Sequence, residues 1–166
     1  MNTEYRILNA DDPNGEFKIF SPREKGVEYS ISHYDGNFYV LTNKDGATNF
    51  KLMKTSEEST SSEHWTEFIP HQEDVLLEDV EIFRDYYVVT ERNNGLNQMK
   101  IAKWDGSDSY YLPFDSETYV AGPSVNLDFD TKVLRYYYNE MGEPYAIIEV
   151  DYYYPPNEKI REFFDL

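Results

Sequence analysis

Side chains able to ionise, ligate or attack are unevenly supplied in this sequence: 32 Asp and Glu, 3 His and no Cys. Without cysteine there is neither a disulfide nor a thiolate site. His33, His64 and His71 stand apart, and none has the i, i+4 spacing of a helical zinc pair. Each reads as an isolated surface or rim histidine. Asp12 and Asn14, in Asp11-Asp12-Pro13-Asn14-Gly15, invite a calcium reading. A calcium loop needs ligands at alternate positions and a late bidentate Glu, which is out of register here. The run reads as a turn. No G-x-S-x-G nucleophile elbow occurs, and no Walker loop or dinucleotide fingerprint. With 32 acidic residues, carboxylate pairs are too common to mark a glycosidase. No catalytic, cofactor-binding or metal residue is assigned, and no cofactor is expected.

The elements that would carry any site are strands. The stretch 82–103, IFRDYYVVTERNNGLNQMKIAK, reads as a β-hairpin with strands over 86–92 and 96–103. Asn94-Gly95 forms the tip, because both residues tolerate the positive φ of a tight turn. Val88 and Val89 are adjacent and apolar, which predicts cover on both faces of that strand. The unit recurs around Gly46 and around Gly142, so the tip glycines lie 49 and 47 residues apart. Asp35, Asp85 and Asp130 precede the three hairpins at turns, and a short apolar run follows each hairpin. Self-similarity of this length, with about four strands per repeat, is the pattern of propeller blades.

Composition agrees. The 166 residues suffice for one ordinary domain. An aromatic content of 17%, with 16 Tyr, argues against disorder despite a net charge of −17. No apolar run is long enough for a membrane span. The acidity reads first as solubility, and second as a field that attracts cations and repels nucleic acid. No nucleic-acid or membrane partner is expected. The absence of cysteine fits the cytoplasm better than the periplasm.

Along the chain, residues 1–15 read as peripheral and 16–21 as the outer strand of a preceding blade. A blade spans 27–71, with strands over 28–33, 38–43, 48–54 and 65–69. Its polar stretch 55–63, TSEESTSSE, reads as a flexible loop and an exposed tip rather than a phosphorylation site. A second blade spans 76–114, with a turn at Asp105-Gly106. A third spans 119–166, with a turn at Pro155-Pro156-Asn157. Tyr136 to Tyr138 and Tyr152 to Tyr154 read as packing between blades. The fold class is all-β: antiparallel four-stranded blades, about three plus one strand.

The residues also resemble a family. Glu28-Tyr29-Ser30, His33-Tyr34, Phe38-Tyr39-Val40 and Thr42-Asn43-Lys44 are similar to oligopeptidase B (protease II), of the prolyl oligopeptidase family of serine peptidases. So is Trp65-Thr66-Glu67-Phe68-Ile69-Pro70. The most specific stretch is 77–98, LEDVEIFRDYYVVTERNNGLNQ, followed by Asn126 and Leu134-Arg135-Tyr136. The chain departs from the pattern at Leu127-Asp128 and at 140–143, both in loops. The resemblance covers about 17–163. It implies a partial seven-bladed β-propeller without its hydrolase domain, from a parent that cleaves short peptides after Lys or Arg. The catalytic triad and the acidic residues that hold the basic side chain would lie in that other domain. On this reading the chain is a non-catalytic propeller fragment that gates substrate access. Its partners are the parent's own hydrolase domain and short basic peptides. The rival is a free-standing β-rich module, for instance for carbohydrate, using Trp65, Trp104 and the tyrosines. An arc of three blades should leave bare faces at 38–41 and at 136–138 and 147–150, so the isolated fragment should self-associate.

Overall fold

The computed structural model describes residues 2–114, 116–140, 142, 145–152 and, as backbone, 161–163. The chain forms two compact units, 1–73 and 74–166. Runs of Tyr, Phe, Val and Ile suit a pleated, half-buried surface, and these runs become the strands. They build three four-stranded antiparallel sheets, each a meander in chain order, and one two-stranded sheet.

In the first unit β1 (Arg6–Ile7) pairs with β2 (Lys18–Ile19). The four-stranded sheet follows as β3 (Tyr29–Tyr34), β4 (Asn37–Thr42), β5 (Lys51–Ser56) and β6 (Thr66–Ile69). Asp35 and Gly36 close the β3–β4 turn with φ of 48° and 69°. One face of this sheet carries Tyr29, Val40 and Met53, which cluster with Trp65 and with Phe20 just after β2. Tyr5 and Ile7 pack on the same cluster.

The second unit holds two sheets. The first is β7 (Val75–Ile82), β8 (Tyr86–Asn93), β9 (Leu96–Lys103) and β10 (Ser109–Tyr111). The second is β11 (Tyr119–Pro123), β12 (Val133–Glu140), β13 (Ala146–Asp151) and β14 (Arg161–Phe163). At the β8–β9 tip Asn94 and Gly95 have φ of 50° and 83°, so the backbone needs the left-handed region at both positions. The sheets join through one core: Phe83, Tyr86, Val88, Met99, Ile101 and Leu112 meet Ala121, Leu134, Tyr136, Ile148, Val150 and Tyr152. Its centre is an aromatic stack, with ring centroids 4.5 Å apart for Phe83–Tyr86 and 4.0 Å for Tyr86–Tyr152. Val88 and Val89 are both fully buried, so β8 is covered on both faces.

Several expectations need correction. Within 1–15, expected as peripheral, Tyr5 to Ile7 are tied in, since β1 pairs with β2 and the Tyr5 amide donates to the Tyr29 hydroxyl at 3.2 Å, while residues 9–14 are exposed. The third strand of the first sheet starts at Lys51 rather than 48, because 44–50 is spent on a 3-10 turn and a positive φ of 61° at Phe50. The stretch 55–63 is anchored. Thr60 donates to the Phe20 carbonyl at 2.6 Å, the Ser62 amide donates to Ser21 Oγ at 3.2 Å, and Trp65 Nε1 donates to the Thr60 carbonyl at 2.8 Å. The face expected bare at 38–41 is closed: Tyr39, Val40 and Leu41 are 4%, 0% and 7% exposed. Val40 lies beneath the N-terminal stretch that carries Phe20. Tyr136, Ile148 and Val150, also expected at a bare end, are core residues between the two sheets of the second unit. The turn expected at Pro155-Pro156-Asn157 and Tyr153-Tyr154 lie outside the described residues.

Candidate functional site

None of the single residues weighed in the sequence is drawn into a reactive cluster. Within the first unit, His33 shares a hydrogen bond of 2.9 Å with Glu57, and His64 lies 3.4 Å from Glu63. Both are exposed. His71 is partly buried, with Nε2 unpartnered. Asp12 closes a turn, accepting from the Gly15 amide at 3.0 Å. Among the described residues no three His, Asp or Glu side chains gather as metal ligands. Trp65 is buried, and Trp104 donates its Nε1 to the Phe83 carbonyl at 2.9 Å while its ring lies 4.7 Å from Tyr87. The two indoles therefore serve packing, and neither lies open as a sugar platform.

The denser polar arrangement is in the second unit, where the 124–132 connection between β11 and β12 meets β7 and the turn after it. Asn126 is its hub. Its Oδ1 accepts from the Arg135 amide at 2.8 Å, and its Nδ2 faces the carbonyls of Arg135 at 3.0 Å and Ser124 at 3.1 Å. The same Nδ2 lies 3.2 Å from Glu81 Oε2. One amide thus closes the loop on β12 and links it to the neighbouring sheet. Nearby, the Arg84 amide donates to the Phe129 carbonyl at 3.0 Å, its guanidinium pairs with Asp130, and it lies over the Phe129 ring at 5.3 Å. Tyr152 completes the belt by donating its hydroxyl to Asp85 at 2.9 Å.

Glu81 reaches this position through a β-bulge. The register of β7 against β8 shifts between Leu77 and Asp79, leaving Glu78 without an opposite residue. After the shift Glu81 lies opposite Val88, on the face that carries the core. Burial, with the charge of Asp79 adding to it, pushes the Glu81 carboxyl up to about 7, against the lowering effect of the Asn126 hydrogen bond. Burial also pushes Tyr136 and Tyr110 up to about 12. These phenols stay neutral in the physiological range and act as packing groups with a polar end. The Arg84 hydrogen bond holds the exposed Asp130 below the usual carboxylate range.

Beside the hub lies an open hollow of about 230 Å³, lined by Asn126, Leu127, Asp128, Val133, Arg135 and Glu149 among others. Arg135 and Glu149 are paired at 2.6 Å, and Leu127 is 92% exposed. The arrangement offers apolar contact and a paired charge. It suits binding to another surface, and no nucleophile–base pair stands in it. Sequence reasoning missed Glu81 and this use of Asn126. Glu81 carried no distinguishing signal, because its strand, VLLEDVEI, also holds Glu78 and Asp79.

The chain is similar to known peptidases over most of its length. The family model for the prolyl oligopeptidase N-terminal β-propeller domain matches residues 1–162. The chain is 38% identical over 151 residues to dipeptidyl aminopeptidase BI of Pseudoxanthomonas mexicana, covering 91% of this chain and 21% of that protein. It is 25% identical over 142 residues to Protease 2 of Moraxella lacunata, covering 86% and 20%. The chain thus spans about a fifth of the length of these relatives. Among solved structures, oligopeptidase B from Trypanosoma brucei, in a closed form with covalently bound antipain, superposes with a TM-score of 0.81 at 25% identity, covering 97% of this chain and 24% of that one. Oligopeptidase B from Leishmania major shares the fold with a TM-score of 0.83 at 23% identity, covering 97% and 24%.

Proposed function

Because this chain belongs to the prolyl oligopeptidase family, as part of its N-terminal β-propeller domain, we propose that it is a non-catalytic gate within a serine oligopeptidase. In this reading the propeller blades cover a hydrolase domain of the same parent and admit only short, unstructured peptides. The parent cleaves after Lys or Arg, and the net charge of −17 favours approach of cationic peptides. The observation that carries the reading is the match to the propeller model over 1–162, in a sequence without a G-x-S-x-G elbow. The cysteine-free sequence supports action in the reducing cytoplasm.

Two measurements test it. The purified chain should release nothing from arginyl or lysyl amide substrates and should not react with a serine-directed phosphonate. Turnover that survives repeated purification and is blocked by the phosphonate overturns the non-catalytic role. The reading frame around these residues should encode a G-x-S-x-G domain downstream. A binding module for carbohydrate has less support, since Trp65 is buried and Trp104 is tied to a backbone carbonyl.

A second reading of specificity is favoured by the 38% identity to a dipeptidyl aminopeptidase, in which the parent takes dipeptides from a free N-terminus. N-terminally blocked and free dipeptidyl-arginyl substrates, offered to the parent enzyme, separate the two. Endopeptidase action tolerates the block, and dipeptidyl release does not.

A further inference from the structure

Asparagine precedes glycine twice in the chain, at Asn14-Gly15 and at Asn94-Gly95. The pairing has a chemistry of its own. The backbone nitrogen of a residue without a side chain can reach the Asn side-chain carbonyl and close a five-membered ring. Closure needs the Asn ψ to rotate until that nitrogen faces Cγ, so the local backbone decides whether the reaction runs. The two sites differ in this. Asn94 and Gly95, with φ of 50° and 83°, form a two-residue hairpin tip of the type I′ form. β8 and β9 pair along their length, up to Asn93 opposite Leu96. Turning ψ at Asn94 swings β9 away and breaks that pairing. Asn14 sits instead in the connection from β1 to β2. The Gly15 amide donates to the Asp12 carbonyl at 3.0 Å, with Pro13 and Asn14 between them and no positive φ at Asn14 or Gly15, the pattern of a type I turn. The Asp12 amide donates back to the Asn9 carbonyl at 3.1 Å, so these bonds stay inside the connection. Turning ψ at Asn14 breaks the hydrogen bond from Gly15 to Asp12. The strand pairs, Arg6 with Ile19 and Ile7 with Lys18, lie beyond it.

We propose that Asn14 is a site of spontaneous deamidation in the folded chain, through a succinimide formed with Gly15, and that the hairpin withholds Asn94 from the same reaction. The Gly15 nitrogen gives its proton to solvent base and bonds to Asn14 Cγ. The bond from Cγ to the side-chain nitrogen breaks, and that nitrogen takes up a proton and leaves as ammonia. Water then opens the ring at either carbonyl. Cleavage at Cγ leaves aspartate. Cleavage at the backbone carbonyl leaves isoaspartate, whose main chain runs through the former side chain and which carries a free α-carboxylate. The net change is water in and ammonia out. Both products add a carboxylate to a stretch that already holds Asp11, Asp12 and Glu16. The isoaspartyl form also adds a methylene to the main chain, in the connection that closes β1 on β2. Ile7 of β1 packs on the cluster that holds Trp65, so the change reaches the cover of that core. The free α-carboxylate makes the altered chain a methyl acceptor for an isoaspartyl carboxyl methyltransferase that uses S-adenosylmethionine.

Incubation of the purified chain at physiological temperature and mildly alkaline pH, followed by tryptic mapping with mass spectrometry, reads both sites at once. Asn14 falls in peptide 7–18 and Asn94 in peptide 93–100. Asn14 should convert at least about tenfold faster than Asn94, a ratio that corresponds to about 1.4 kcal/mol more to open the hairpin than the turn. Isoaspartate should be among the products and should take up labelled methyl from S-adenosylmethionine when the methyltransferase is added. In urea, with the fold gone, the two rates should converge, because each Asn then precedes Gly in a free chain. Asn14→Gln should abolish the change in peptide 7–18 and leave the rate at Asn94 as it was. Native rates that are equal or favour Asn94 overturn the proposal. So does a ratio that persists in urea, a product free of isoaspartate, or a change in peptide 7–18 that survives Asn14→Gln and so belongs to Asn9.

Discussion

Replacing Glu81 by Gln should make the chain more stable above neutral pH and leave it almost unchanged in mild acid. The Glu81 carboxyl is raised from 4.5 to about 7, chiefly by burial. The native state therefore holds its proton more tightly than the unfolded state does. Below about pH 4.5 both states are protonated. Between 4.5 and 7 the unfolded chain releases the proton while the folded one keeps it, so stability falls with rising pH. Above 7 both are ionised and the loss is complete. At about 1.4 kcal/mol per pH unit the full loss is about 3 kcal/mol, an upper value because the site is only partly buried. Gln keeps an acceptor for Asn126 and has nothing to ionise. Urea unfolding of both proteins from pH 4.5 to 8.5, followed by far-UV circular dichroism, isolates the effect by difference. General repulsion among the other carboxylates acts on both and cancels. Curves for the two proteins that stay parallel across this range would refute the burial argument.

Gly95→Val should destabilise the chain by roughly 1–3 kcal/mol, because φ is 83° there and a β-branched residue resists it although the space around it is open. An unchanged melting temperature would contradict this. Trp65→Ala should cost about 3–5 kcal/mol, since the ring is 8% exposed and packs on Phe20 and Tyr29. Water-like Trp65 emission, easily quenched by iodide, would show the ring is not buried.

The sequence made the long hairpins legible because two signals coincide in them. Around Asn94-Gly95 a residue pair suited to positive φ separates two aliphatic strands, and the pairing of Tyr86 with Lys103 through Asn93 with Leu96 follows from it. The β1–β2 pair has only two residues per strand, too few for a period to show, and its place depends on distant Tyr29 and Trp65. Alternation misleads at β7. Counting by twos from Val75 and Leu77 puts Glu81 on their face, and the bulge after Leu77 puts it on the other. Nothing local marks that bulge. The polar strap at Asn126 was hidden for a related reason. Its partners Arg135 and Glu81 are 9 and 45 residues away, and an Asn between Val125 and Leu127 carries no mark of which neighbour it will bond.

The meander order of every four-stranded sheet bears on how the chain folds during synthesis. Each strand pairs only with its neighbours in sequence, so each sheet draws on one continuous stretch. Loop closure between such neighbours is short, and contacts of this range form early. A growing chain can complete β3–β6 before β7 has left the ribosome, and β7–β10 before β11. The pair β1–β2 is local too, but the core it joins is not. Phe20, which follows β2, packs on Trp65, which lies beyond β5 in the sequence and is synthesised later. The N-terminal stretch should therefore stay accessible to proteases through the early stages of synthesis and become protected abruptly when Trp65 emerges.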